Sequence, residues 1–96
     1  MPIKVKGYLT YNEIVGERLI TIDRGQCLTV IDLLNLLADE LDQEFRDSIF
    51  DPRTNQLGVY VAIIVNGRSY TNLPEELNTQ LKDGDELAIF PPMAGG

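Results

Sequence analysis

The sequence has no histidine, no tryptophan and a single cysteine, Cys27, among its 96 residues. Without histidine, the chain cannot form a Ser-His-Asp triad or a metal site of the Cys and His kind. A single cysteine allows no disulfide within the chain, which is typical of proteins from reducing compartments. Most side-chain chemistry used by enzymes is therefore excluded, and any reaction would use the backbone terminus or the reactive groups of a partner.

Basic residues and long apolar runs are scarce as well. The 8 Lys and Arg residues face 15 Asp and Glu residues, which gives a net charge of −7. Because phosphate backbones repel an acidic domain, we expect no nucleic-acid partner and favour a protein partner with a basic face. No apolar run approaches the ~20 residues of a membrane-spanning helix, and the N-terminus does not resemble a secretory signal. We expect no membrane partner and a cytoplasmic location.

The apolar residues follow the patterns of strands in several places. Four segments have an alternating or dense apolar pattern: residues 3–9, 18–23, 59–65 and 86–90. The first two are expected to form a hairpin, and Gly7 is expected to mark a bulge or a close backbone approach. Asn66-Gly67 is a hairpin-turn dipeptide, and it predicts a short return strand over residues 68–70.

One main helix is predicted after Thr29. The Thr29 side chain can cap the first turn while Asp32 reaches back in a capping box. Apolar residues then recur at spacings of three and four, which predicts one buried stripe: Val30, Leu33, Leu34, Leu37, Leu41 and Phe45. The acidic residues between Asp39 and Asp51 are assigned to a solvated face.

This order of elements predicts an α+β protein with a ubiquitin-like β-grasp fold. The expected architecture is a mixed sheet of four to five strands, with one main helix packed on one face. The first and last strands would lie side by side. We expect one domain over residues 1–92 and a flexible Gly-Gly tail over residues 93–96.

The end of the sequence has the composition expected of a chemically used carboxyl terminus. Pro91-Pro92 stops the last strand, because proline has no N–H to donate. The four residues beyond span at most ~14 Å. Glycine at positions 95 and 96 has no side chain to obstruct a narrow channel on another protein. A chance Gly-Gly ending has a frequency of about one in two hundred, so the functional interpretation is favoured over an inert terminus.

Residues 81–96 (LKDGDELAIFPPMAGG) closely resemble the C-terminus of the small subunit of molybdopterin synthase (MoaD). Residues 13–16 (EIVG) and 65–67 (VNG) support the resemblance, which covers the chain in element order. The family also includes the thiamine sulfur carrier (ThiS). The segment 50–59 is longer and more polar than in the shortest members, and Met93 stands where valine is frequent, so details of partner docking are open.

The resemblance implies a carrier that is not an enzyme alone and binds no cofactor itself. An E1-like adenylating enzyme would use ATP to activate Gly96, and a sulfur-donating enzyme would supply the sulfur of a C-terminal thiocarboxylate. The molybdopterin synthase large subunit would then receive the tail. The implied site comprises Gly96 as the carrier and a partner-binding set: Gly95, Ala94, Met93, Pro92, Pro91 and Phe90.

Other functions remain open at this stage. Gly96 could instead form an isopeptide bond with a lysine of a target protein, as in a ubiquitin-like modifier. Sulfur could pass to thiazole or tRNA rather than to pterin, although the Phe90-Pro91-Pro92 segment favours pterin. A β-grasp interaction module with an inert tail is a third class. Cys27 is expected to be buried and structural rather than a sulfur relay.

Overall fold

A computed structural model describes residues 2–22 and 27–92. Its five strands are β1 (Ile3–Gly7), β2 (Glu17–Ile20), β3 (Ala62–Val65), β4 (Arg68–Ser69) and β5 (Glu86–Phe90). They form one sheet in the order β2-β1-β5-β3-β4, in which β1 and β5 are parallel and the other pairs are antiparallel. The predicted mixed sheet, with its first and last strands adjacent, is confirmed. The tail over residues 93–96 lies outside the described residues, so the division at position 92 stays a prediction.

The helical part differs from the single helix expected. The chain forms a short α1 (Tyr11–Ile14), then α2 (Val30–Glu40) and a separate α3 (Gln43–Ile49). The capping box at Thr29 is confirmed, because its side chain accepts from Asp32 N while the Asp32 carboxylate accepts from Thr29 N. The predicted stripe is broken by the extended backbone of Leu41 and by Asp42, whose carboxylate caps α3 by accepting from Phe45 N.

The strand predicted over residues 18–23 spans only Glu17–Ile20, and the one predicted over residues 68–70 spans only Arg68–Ser69. Two other predicted strands are also shorter than their sequence patterns. The first ends at Gly7, because the chain then turns into α1, where Tyr11 is buried against Phe45 and hydrogen-bonds to Ser48 at 2.7 Å. The apolar run 59–65 becomes a strand only from Ala62. The preceding residues, Val59 and Tyr60, are exposed, so the prediction of a buried strand from position 59 is wrong.

The turn prediction at Asn66-Gly67 is confirmed. Both residues have positive φ, 51° and 82°, as a two-residue hairpin turn with this dipeptide requires. The Asn66 side chain also joins this turn to the start of β5. Its amide donates to Asp85 and its oxygen accepts from Glu86 N, at 3.0 and 2.9 Å. The two loops at this end of the sheet therefore hold each other in place.

The core lies between one face of the sheet and the helices. Strand residues that point inward are 0–1% exposed: Ile3, Val5, Ile63, Leu87 and Ile89. They meet the apolar side of α2 and α3, including Leu33, Leu37 and Phe45. The opposite face of the sheet is left open. Within the described part of the chain, no helix has the length and apolar character needed to cross a membrane.

The capping box at Thr29 gives a prediction for stability. We expect Thr29→Ala to lower the free energy of unfolding by about 1 kcal/mol, because an N-terminal amide of α2 loses its acceptor. Thr29→Ser retains a hydroxyl acceptor and is the matched control. Urea denaturation of the three proteins measures the difference, and equal losses in both variants would contradict the role of the cap.

Candidate functional site

The described part of the candidate site is the point where the chain leaves the sheet. Phe90 is the last residue of β5 and pairs with Ala62 of β3. Pro91 and Pro92 follow immediately, and the ladder stops there because proline offers no N–H. Met93, Ala94, Gly95 and Gly96 lie outside the described residues. Because β5 runs between β1 and β3, the tail leaves from the middle of the sheet rather than from an edge.

A stacked aromatic pair lies at this exit point. The rings of Tyr8 and Phe90 stack with centroids 4.6 Å apart and planes 8° from parallel. Tyr8 N also donates to Ile89 O at 3.0 Å, which extends the contact between β1 and β5 by one residue. Lys6 Nζ lies 5.1 Å from the centre of the Tyr8 ring, within range of a cation–π contact. No local pattern in the sequence singles out Tyr8, because its partner is set by strand pairing.

The open face of the sheet forms a shallow hollow beside this pair. It has a volume of about 410 Å³ and is lined by Ile64, Ala88, Phe90 and Tyr8, with Lys4 and Lys6 among its polar residues. A hydrogen bond to Glu17, 3.1 Å between Nζ and Oε1, raises the pKa of Lys4. The hollow therefore combines an apolar floor with cationic groups on a protein that is acidic as a whole.

The other side of the exit point has a different character. Pro92 borders a second hollow of about 260 Å³, together with Val59, Tyr60, Asp47 and Asp51. A hydrogen bond from the backbone N of Arg53, 2.9 Å long, and the Arg53 guanidinium hold the pKa of Asp51 below its usual value. The Asp51 carboxylate in this hollow therefore stays charged to a lower pH than an ordinary aspartate.

Cys27 is far less protected than expected. It is exposed, and its sulfur accepts a hydrogen bond from Gln80 Nε2 at 3.3 Å. The prediction that it is buried is wrong, because the neighbouring Leu28 rather than Cys27 packs against the core. Leu57 and Tyr70 pack against the core, whereas Tyr60 is exposed.

The five-stranded mixed sheet, the crossing helix and the central last strand define a ubiquitin-like β-grasp protein. The chain belongs to the ThiS family, whose model matches residues 9–96, up to and including Gly96. The family resemblance identified from the C-terminal residues is confirmed.

Three similar proteins carry different functional names. Small archaeal modifier protein 3 of Haloferax volcanii and a putative sulfur carrier protein of Archaeoglobus fulgidus are each 32% identical over 96 residues, covering all of both chains. A solved structure of a putative molybdopterin converting factor, subunit 1, from Pyrococcus furiosus is 26% identical. It superposes with a TM-score of 0.67 over 97% of this chain and 99% of its own.

Proposed function

We propose that this chain is a sulfur carrier whose Gly96 carboxyl group is adenylated and then converted to a thiocarboxylate. The observation that carries the proposal is the direct continuation of the central strand β5 into a segment ending in Gly95-Gly96, within a ThiS family match that includes position 96. A terminus leaving from the middle of a rigid sheet is held in one direction at its base. Its glycines allow the backbone to enter a narrow site.

The chemistry takes place in partner proteins. In an E1-like adenylating enzyme, a carboxylate oxygen of Gly96 attacks the α-phosphorus of ATP, and pyrophosphate leaves. Sulfide supplied by a sulfur-donating enzyme then attacks the acyl carbon, and AMP leaves with the electron pair of the broken C–O bond. The product is a C-terminal thiocarboxylate. This chain contributes the acyl group and the surface that positions it, and ATP is bound by the partner.

We propose pterin as the sulfur acceptor, with the chain acting as the small subunit of molybdopterin synthase. The Phe90-Pro91-Pro92 segment and the similarity to the Pyrococcus furiosus protein support this choice. The large subunit would take in residues 93–96 and rest on the Tyr8–Phe90 pair. A strain lacking this chain would then lose molybdoenzyme activity. Normal activity in that strain would redirect the proposal to thiazole or tRNA.

Protein conjugation is a second candidate, because the Haloferax volcanii relative, as similar to this chain as the putative sulfur carrier, is named as a modifier. The same adenylate serves this route, but a lysine amine of a target protein would attack the acyl carbon in place of sulfide. The result is an isopeptide bond to Gly96. Both routes share the adenylate, and the choice between sulfide and a lysine amine is made only after activation.

The mass of the chain purified from its own cells tests these proposals. For a sulfur carrier we expect an increase of about 16 Da, as one sulfur replaces one oxygen at the terminus. For a modifier we expect Gly-Gly remnants on lysines of other proteins after proteolysis. A control chain without Gly95 and Gly96 should show neither. If the intact chain also shows neither, both proposals are wrong.

A further inference from the structure

We propose that Val59, Tyr60 and Pro92 form a docking surface for the adenylating enzyme, on the side of the exit point opposite the Tyr8–Phe90 pair. We call these three residues the Tyr60 surface. The inference rests on the proposed function, because it assumes that this enzyme takes in the tail. It further specifies what the enzyme must present there, namely an apolar patch next to a basic group.

The exposure of these side chains is the first support. Val59 is 86% exposed and Tyr60 is 68% exposed, although both belong to the apolar run that continues into the buried part of β3. Val61, the next residue, is only 3% exposed. A valine and a tyrosine side by side in solvent leave apolar area uncovered, and aromatic residues with one polar end are enriched at protein interfaces.

The position of the surface is the second support. Val59, Tyr60 and Pro92 line the same hollow, so the exposed pair lies directly beside the start of the tail. The four residues after Pro92 reach at most ~14 Å. A protein that encloses the Gly96 carboxyl group must therefore come within that distance of Pro92. A protein that comes so close to Pro92 would contact the neighbouring side chains of the same hollow, Val59 and Tyr60.

The charge of the hollow indicates the chemistry of the partner. Asp47 and Asp51 form its acidic wall. Asp47 accepts from the amide of Gln43 at 2.9 Å, a neutral donor that leaves its charge uncompensated by this contact. The sheet side of the exit point instead carries Lys4 and Lys6 together with Glu86, and Lys4 is paired with Glu17 at 3.1 Å. The two sides thus differ in charge, and the acidic side favours a basic group of the partner against the Tyr60 surface.

Kinetics with the purified adenylating enzyme of the same organism test the inference. The readout is ATP–pyrophosphate exchange as a function of the concentration of the full chain. We expect Tyr60→Ser to raise KM for the chain about tenfold with kcat nearly unchanged, because a contact made equally before and during the reaction is lost. Leu19→Ser is the matched control, since Leu19 is 67% exposed on β2, away from the exit point, and its KM should change less than twofold.

Further variants test the two parts of the surface separately. Val59→Ser should raise KM as Tyr60→Ser does, and it serves if the tyrosine variant is unstable. Asp47→Asn should raise KM at low salt, with the effect disappearing near 1 M salt, where the screening length is ~3 Å. Unchanged KM in both serine variants, or equal changes in Leu19→Ser, would overturn the docking surface while leaving the proposed function intact. No exchange with the unaltered chain would overturn both.

Discussion

Replacing Gly95 by valine is expected to reduce ATP–pyrophosphate exchange by about a hundredfold or more while leaving the melting temperature unchanged. Under the proposed function, a β-branched side chain next to the activated carboxyl group would obstruct the channel of the partner enzyme and restrict the backbone. A displacement of ~1 Å at a reacting atom can cost about a hundredfold in rate. Position 95 lies beyond the last strand, so the substitution leaves the packed core untouched.

A graded series separates this effect from general damage to the tail. Gly95→Ala adds a single methyl group and should lose less activity than Gly95→Val. Circular dichroism melting of each variant checks that the domain is intact. If the valine variant exchanges pyrophosphate at the rate of the unaltered chain, the terminus is not the group that is activated, and the sulfur-carrier and modifier proposals both lose their basis.

The largest expected loss of stability comes from adding one methyl group at Gly7. A Cβ atom built there would lie 2.4 Å from the carbonyl oxygen of Tyr11 and 2.8 Å from its carbonyl carbon. These are backbone atoms of α1, and they cannot move aside as the end of a flexible side chain could. We therefore expect Gly7→Ala to lower the free energy of unfolding by about 3 kcal/mol, at the upper end of overpacking costs.

The expected shift in melting temperature is large enough to measure easily. For a domain of this size, 1 kcal/mol corresponds to roughly 4–8 °C, so Gly7→Ala should melt roughly 12–24 °C lower. Gly58→Ala is the matched control, because its Cβ would meet Val61 Cγ2 at 3.4 Å and Ile49 O at 3.6 Å, which are ordinary contacts. Equal melting temperatures for the two variants would contradict the close approach at Gly7.

Structural features that depend on only a few neighbouring residues were predicted correctly. The capping box at Thr29 and the turn at Asn66-Gly67 depend only on neighbouring groups, so their residue types are sufficient evidence. The alternation of Leu87 and Ile89 likewise predicted the inward face of β5. Gly7 was expected to mark a bulge or a close approach, and the structure shows the close approach.

Predictions failed where a local signal competed with the apolar pattern. The three- and four-residue spacing from Val30 to Phe45 is continuous, and Phe45 is buried as that pattern requires. The helix is nevertheless interrupted, because Asp42 offers a cap to a new helix. The run from Val59 also looked like one strand, but its first three residues precede the ladder, since pairing with β5 begins only at Ala62 opposite Phe90.

The sequence by itself determined that reactive side chains are few. It also determined that Pro91-Pro92 stops the last strand and that Gly95-Gly96 follows. It likewise determined the order of the strands and the start of the main helix, since these are coded by nearby residues. Only the tertiary structure placed Tyr8 on Phe90 and set Val59 and Tyr60 beside Pro92. These contacts join segments far apart in the chain. They arise from strand pairing and core packing, which no short pattern of residues specifies.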